Sequence, residues 1–387
     1  MHRSFLLLAG LVAAGDLAAQ ATRALGRPNA EFAEPFSNIA GVRELRDGRV
    51  LIIDPRDKVV QLIDFKAGVR QVGREGSGPK EYALPMGIVG LPGDTSLVYD
   101  PLNSRALAIL PDGEPGAFVT METRQAGPGG APMISMSPPR YADARGRLYW
   151  AGNGVRMGPD GPISADSAPV LRHDRRLKQT DTVAWVRVPR GNVQSTGSSG
   201  GGRMTMRVGG ANPFTPRDEW FVLPDGRVGI VRSPEYRVDW ADTRTAGAPI
   251  AYAKIKVTEE HKQEWRDSRK NATAVAVSMN NGQRSVRTGP GVLGTLPEPT
   301  DWPEVLPPFL VTTGSVLAAP NGQVWIARTR EASDRTPNYD VLDATGKLAF
   351  RVELPERSRV VGFGSGTLYV VRTDADDLQY LQRYQLP

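Results

Sequence analysis

One short pattern recurs along the chain: a turn built on glycine, a run of β-forming residues, then a polar break. The marker glycines are Gly48, Gly93, Gly146, Gly226, Gly322 and Gly366, spaced 45, 53, 80, 96 and 44 residues apart. Each opens a strand-like run: VLIID at 50–54, LVYD at 97–100, LYW at 148–150, VGIVR at 228–232, VWIAR at 324–328 and LYVVR at 368–372. Asp-Gly and Asn-Gly are strong hairpin turns because glycine adopts positive φ without a Cβ clash. Each copy therefore predicts a hairpin whose second strand is buried. Third strands follow at 59–65, 105–110, 339–343 and 378–384, and a fourth closes the fifth copy at 347–354.

Four-stranded units repeating every ~40–50 residues are the signature of a β-propeller, in which radial packing buries faces that one small sheet could not bury alone. Six copies with two long insertions predict an all-β, six-bladed propeller of four-stranded antiparallel blades, a single domain over residues 22–387. The rival architecture is one or two sandwiches with many hairpins. The sixth copy ends at Pro387 after its third strand. A segment near the other end, EFAEPF at 31–36, precedes the first blade. Donating it to the sixth blade would pair the open edge, which is costly to leave exposed.

Composition agrees. The 387 residues include 42 Gly and 32 Pro, yet 40% are hydrophobic, enough for a large core rich in turns. No G-x-y period exists, which excludes collagen, and the prolines exclude a long coiled coil. Cys is absent, so disulfides and thiolate metal sites are excluded. Ring closure must then rest on strand pairing.

Residues 1–21 read as a cleaved export signal: Arg3, an apolar run at 5–14, and Ala19-Gln20-Ala21 as a small-x-small site. The run is shorter than the ~20 residues a spanning helix needs, so no membrane span is expected after cleavage. The location expected is periplasmic or secreted, and the state a monomer.

Residues 72–82 (VGREGSGPKEY), 85–88 (PMGI), 97–105 (LVYDPLNSR) and Asp112-Gly113 resemble the NHL-type repeat. That likeness is good over residues 40–115 and partial in the fifth and sixth copies. As a whole the chain resembles the six-bladed propellers of bacterial envelopes. The resemblance implies a fold and no particular activity, since propellers host binding modules, lyases and hydrolases.

The insertions run over residues 187–218 and 254–308 and fall between blades. The first contains TGSSGGG at 196–202, which reads as a mobile surface loop. In the second, Thr258-Glu259-Glu260 opens a helix that ends near Arg269-Lys270, a charge order that suits the helix dipole. Trp265 is its one large apolar anchor.

Catalytic signatures are scarce. His2, His173 and His261 lack zinc-site spacing. The glycine-rich stretches lack the Lys-Ser/Thr ending of a phosphate loop, no G-x-S-x-G elbow occurs, and Ser195, Ser198 and Ser199 have no paired base. The formal charge of +6 and pI of 9.5 invite nucleic acid, but the basic residues are scattered and export removes that partner.

The ends of the second strands carry more information. One position per copy gives Asp54, Asp100, Gly152, Arg232, Arg328 and Arg372. Around one axis, three adjacent blades would present arginine on one face. Guanidinium groups donate paired hydrogen bonds to carboxylate, phosphate or sulfate. Arg232, Arg328, Arg372, Asp54 and Asp100 are therefore the candidate ligand-binding set; the plain alternative is ion pairing with carboxylates such as Glu235, Asp374 and Asp376. No catalytic or metal set is identifiable. The expected function is an exported, non-catalytic scaffold that binds a protein or a small anionic ligand. The alternative is a metal-dependent lactonase-like hydrolase or a lyase, with aspartates holding a divalent cation such as calcium.

Overall fold

Each marker glycine sits where the hairpin reading requires positive φ, from +74° at Gly366 to +91° at Gly226. The hairpins they close build six sheets arranged as the blades of a propeller, each with four antiparallel strands and one carrying a fifth. The computed structural model describes residues 22–120, 124–126, 132–134, 138–152, 155–158, 161–190, 192–196, 205–209, 212–270, 274–280, 283–289, 298–312 and 314–387. Residues 1–21, which the sequence reads as an export signal, and residues 197–202 of the glycine-serine tract lie outside them.

From axis to rim, blade 1 is Gly41–Glu44, Val50–Asp54, Val59–Asp64 and Gly68–Gln71. Blade 2 is Gly87–Gly90, Ser96–Asp100, Arg105–Ile109 and Pro115–Thr120. Blade 3 is Tyr141–Ala142, Leu148–Ala151, Ser167–Asp174 and Gln179–Arg187. Blade 4 is Glu219–Val222, Val228–Arg232, Arg237–Trp240 and Thr245–Ala246. Blade 5 is Val316–Ala318, Val324–Ala327, Asn338–Leu342 and Leu348–Glu353. Blade 6 is Ser358–Phe363, Thr367–Thr373, Gln379–Gln385 and, from the other end of the chain, Ala30–Glu31.

The second strands are buried on both faces, as in VLIID at 50–54, because each is covered by a neighbouring blade on either side. One apolar cluster fills each junction. Leu51, Ile53, Val98 and Leu107 join blades 1 and 2, and Phe221, Val231, Val316 and Ile326 join blades 4 and 5. Packing is close enough to select glycine at 229, where a Cβ would lie 2.2 Å from the Phe221 ring.

Closure follows the expected route. Ala30 and Glu31 pair antiparallel with Arg383 and Gln382. Phe32 N donates to Leu381 O at 2.9 Å, and Phe36 and Gln379 exchange backbone bonds at 2.8 and 2.9 Å. Phe32, Phe36 and Ile39 then enter the cluster between blades 6 and 1 with Val50, Ile52, Tyr369 and Val371. The sequence pattern did not signal a fifth strand on blade 5, where Thr22–Ala24 runs parallel to Leu348–Glu353. Nor did it signal the hairpins of Arg124–Ala126 with Pro132–Ile134 and of Val155–Gly158 with Gly161–Ser164. The helix is found at Glu259–Lys270.

Phe32 is 7% exposed and packs on Phe36 and Phe65, with ring centroids 5.9 and 6.5 Å away. Phe32→Ala is expected to lower stability by about 3 kcal/mol, read as a lower urea midpoint. An unchanged midpoint would mean that the closing segment is not part of the cooperative fold.

Candidate functional site

In an antiparallel meander, the turn from second to third strand and the passage to the next blade lie at the same end. That end is the mouth of the central channel. The connections at 121–140, 152–166, 188–218 and 247–315 all leave and return there, so blades 2 to 5 carry the additions. At this end blade 6 has only the short connections 354–357 and 374–378, while blade 1 has the short turn 55–58, the entering segment 32–40 and the longer passage 72–86 to blade 2.

The five strand-end residues also lie at the mouth. Asp54 and Asp100 face inward, each 1% exposed. Asp54 accepts backbone N–H bonds from Asn38, Arg56 and Asp57 at 2.8, 2.9 and 3.1 Å. Asp100 accepts from Ala83 at 2.8 Å and Leu102 at 3.1 Å, and from Asn103 Nδ2 at 2.6 Å. Each aspartate thus caps its own turn, helped by the preset φ of Pro55 or Pro101, and holds down the chain that enters its blade. Burial pushes the Asp54 carboxyl above its ordinary range, against the pull of those backbone donors.

The three arginines are separately engaged. Arg232 bridges Asp218 at 2.6 Å and Asp239 at 2.8 Å. Burial opposes its charge, and the two carboxylates outweigh burial, so its pKa is raised. Arg328 lies 3.7 Å from Asp340. Arg372 pairs with Glu31 at 3.0 Å and lies over the Tyr380 ring at 4.5 Å. The ion partners are Asp218, Asp239, Asp340 and Glu31, rather than Glu235, Asp374 or Asp376. They sit on the adjoining strand, in the blade-entry segment or on the closing strand, where the sheet register brings opposite charges together.

Asp340 is the centre of a larger network. It is fully buried, accepts from Tyr236 Oη at 2.5 Å across the junction of blades 4 and 5, and pairs with Arg351 at 3.0 Å. Tyr236 is itself buried at a φ of +45°, an uncommon conformation for a bulky residue. Burial, then the negative charge of Asp340, push its phenol well above the ordinary range, so Tyr236 is a permanent donor.

The two insertions meet over this face. Asn212 Nδ2 donates to Asp301 O at 2.6 Å. The Trp302 ring lies 5.2 Å from Phe214 and 5.3 Å from Trp265 of the helix. These rings, with Ile255 and Leu306, form a small core separate from the blades. The helix starts at Thr258, whose N–H donates to His261 Nδ1 at 3.2 Å. The other ring nitrogen of His261 is 3.1 Å from Arg330 O and ties the helix to blade 5. Trp265 thus anchors the helix as expected, while Trp302 and Phe214 carried no periodic signal.

The channel carries charged groups that the strand-end pattern did not reveal. Arg140, just ahead of the inner strand of blade 3, pairs with Glu219 of blade 4 at 2.7 Å and lies over the Tyr141 and Trp220 rings at 5.5 and 5.4 Å. Burial opposes its charge and Glu219 outweighs it, so the pKa is raised. Arg359, on the inner strand of blade 6, donates from Nη2 to Ile39 O at 2.6 Å and to Gln379 Oε1 at 3.3 Å. Among the described residues, no group of three or more His, Asp or Glu side chains could hold a metal ion, and no helix is long and apolar enough to cross a membrane.

No family model and no curated protein matches the chain. Several solved structures resemble it in fold. A gluconolactonase from Xanthomonas campestris is 10% identical, with 93% of this chain and 99% of that one covered and a TM-score of 0.40. A virginiamycin B lyase from Staphylococcus aureus is 10% identical, with 88% and 79% covered and a TM-score of 0.35. A DUF4221 family member from Bacteroides vulgatus is 10% identical, with 95% and 94% covered and a TM-score of 0.37.

Two expectations follow from the ion pairs. Tyr236→Phe removes a donor from a buried carboxylate and is expected to cost about 1–3 kcal/mol, seen in urea unfolding; a wild-type midpoint would contradict it. The Arg372 hydrogen bond holds the Glu31 carboxyl below the ordinary glutamate range, against burial. A lowered folded pKa stabilises above the unfolded value of about 4.3 and loses that contribution as pH falls below it. The pair is a third exposed, so its worth is at most about 1 kcal/mol. The stability gap between wild type and Glu31→Gln should be present at pH 7 and shrink as pH falls below the ordinary glutamate range; a gap independent of pH would contradict the pairing.

Proposed function

We propose that the protein is an exported, non-catalytic propeller scaffold that binds a protein or a small anionic ligand at its mouth face. The observation that carries this reading is the cap. Insertions from two successive blade junctions are joined by the Phe214, Trp265 and Trp302 cluster and pinned to blade 5 through His261. Such additions on one end of a rigid ring are where propellers and other scaffolds place binding surfaces. The buried mouth aspartates support the same reading, because Asp54 and Asp100 spend their oxygens on backbone donors and Asp340 on Tyr236 and Arg351. Arg232, Arg328 and Arg372 serve this scaffold by tying strand ends. The NHL-like motifs over residues 72–105 belong to the same proposal, since they mark a blade and its turns rather than a reaction.

Native mass spectrometry with metal analysis, on protein purified from its own envelope, tests the proposal. The expected result is a bound partner or ligand without a stoichiometric metal, and loss of that species in Trp302→Ala while the β-sheet circular dichroism is kept. A stoichiometric divalent ion, together with turnover of a lactone substrate, would overturn it in favour of a metal-dependent hydrolase.

A further inference from the structure

The sheet registers define a ring of equivalent positions just inside the channel mouth. The residues opposite Ile53, Tyr99, Val231 and Val371, each one position before an aligned strand-end residue, are Gly41 in blade 1, Gly87 in blade 2, Glu219 in blade 4 and Arg359 in blade 6. Continuing the registers places Ser315 there in blade 5 and Pro139 in blade 3. Only two of the six side chains carry charge. Glu219 is neutralised by Arg140. Arg359 has no carboxylate partner among the described residues; its acceptors are a carbonyl and an amide oxygen, both on Nη2. This inner ring, counted with Arg140, therefore holds two guanidinium groups and one carboxylate, apart from the strand-end residues around it.

A neutral carbonyl and amide do not compensate a guanidinium that the fold encloses, and an enclosed charge is costly unless paired. Arg359 is nevertheless reachable by water, since its exposure is intermediate. Its Nε and Nη1 have no acceptor among the described residues, and neither is among the buried side-chain atoms left without one. Burial disfavours its charged form, which an adjacent anion would favour. Blades 3 and 6 are opposite in a ring of six, so Arg140 approaches the axis from the far side. The strand-end arginines are all paired with carboxylates, so this inner position is the better anion site.

The geometry points to a small-oxyanion site at the channel mouth, in which the free N–H groups of Arg359 bind the carboxylate or phosphate group of a ligand. This deepens the anionic-ligand reading of the proposed function and rests on it. The short connections of blade 6, residues 354–357 and 374–378, leave the approach to Arg359 on the low side of the face, away from the cap. Glu219 sets the strength of the site, because it withholds the charge of Arg140.

The test is thermal unfolding of the full chain in rising inorganic phosphate, and separately in acetate, with chloride holding ionic strength constant. A ligand that binds only the folded state raises the midpoint, through a stabilisation that grows as the logarithm of one plus ligand concentration over Kd. Wild type should be stabilised by at least one anion beyond the chloride control. Arg359→Gln should weaken that binding ~10-fold or more, as expected for loss of a charge-assisted contact, and Glu219→Gln should tighten it several-fold. Because Arg359 also holds Ile39, Arg359→Lys supplies a folded comparison that keeps the charge and should retain part of the effect. Undiminished anion stabilisation in Arg359→Gln would overturn the site, as would no response of wild type to either anion. A response to phosphate alone or acetate alone supports the site and identifies the group it prefers. The metal and turnover result that would overturn the scaffold reading is independent of these midpoints, so either claim can fail alone.

Discussion

The structure depends on one strand pairing. Blade 6 has three strands of its own, and the rim edge of Gln379–Gln385 is covered only because Ala30 and Glu31 return from the other end of the chain. An open edge in a ring would leave one blade half paired and one junction unsealed. Pairing there also brings Phe32, Phe36 and Ile39 into the junction of blades 6 and 1, so hydrogen bonding and apolar burial act at one place. With no cysteine in the chain, these non-covalent contacts are the whole of the closure.

The same closure sets up the candidate anion site. Arg359 donates to Ile39 O, and Ile39 N donates to Gln379 Oε1 at 2.8 Å. The segment that seals the ring therefore also orients the guanidinium at the mouth. Glu31 and Arg372 repeat the theme at the rim. Fold and site are in this sense one construction: a residue at the channel is positioned by a segment more than three hundred residues away in sequence.

Much of this was legible in one dimension. The six hairpins announced themselves because a tight turn needs a residue that tolerates positive φ, and Gly48, Gly93 and their equivalents mark those points. Closure by residues near 31–36 followed from counting strands, since the sixth copy was one short. The helix at Glu259–Lys270 followed from its end charges. The site was less legible. Arg232, Arg328 and Arg372 were found as aligned strand ends, but their partners Asp218, Asp340 and Glu31 lie on other elements. Local spacing names a residue's face and not its cross-strand neighbour. Arg140 and Arg359 have no turn marker beside them. Their importance appears only when six registers are aligned about one axis. The fifth strand at Thr22–Ala24 is three residues long and polar at its centre, with no periodicity to read.

The mouth face is lopsided in a way that bears on function. Blades 2 to 5 carry long excursions, and the aromatic cap over blades 4 and 5 has its own small core. Blade 6 keeps short turns and presents Arg359. A ligand held at the mouth would meet the cap on one side and an enclosed cation on the other. Everything in this arrangement requires the closing segment to stay docked. Native-state hydrogen exchange on the amides of Asn29, Phe32, Phe36 and Ile39, all hydrogen-bonded to blade 6, tests that requirement most directly. Exchange only through global unfolding, at the same free energy as the buried strand Val50–Asp54, is the predicted result. Fast exchange of these four amides while the blades stay protected would contradict the account.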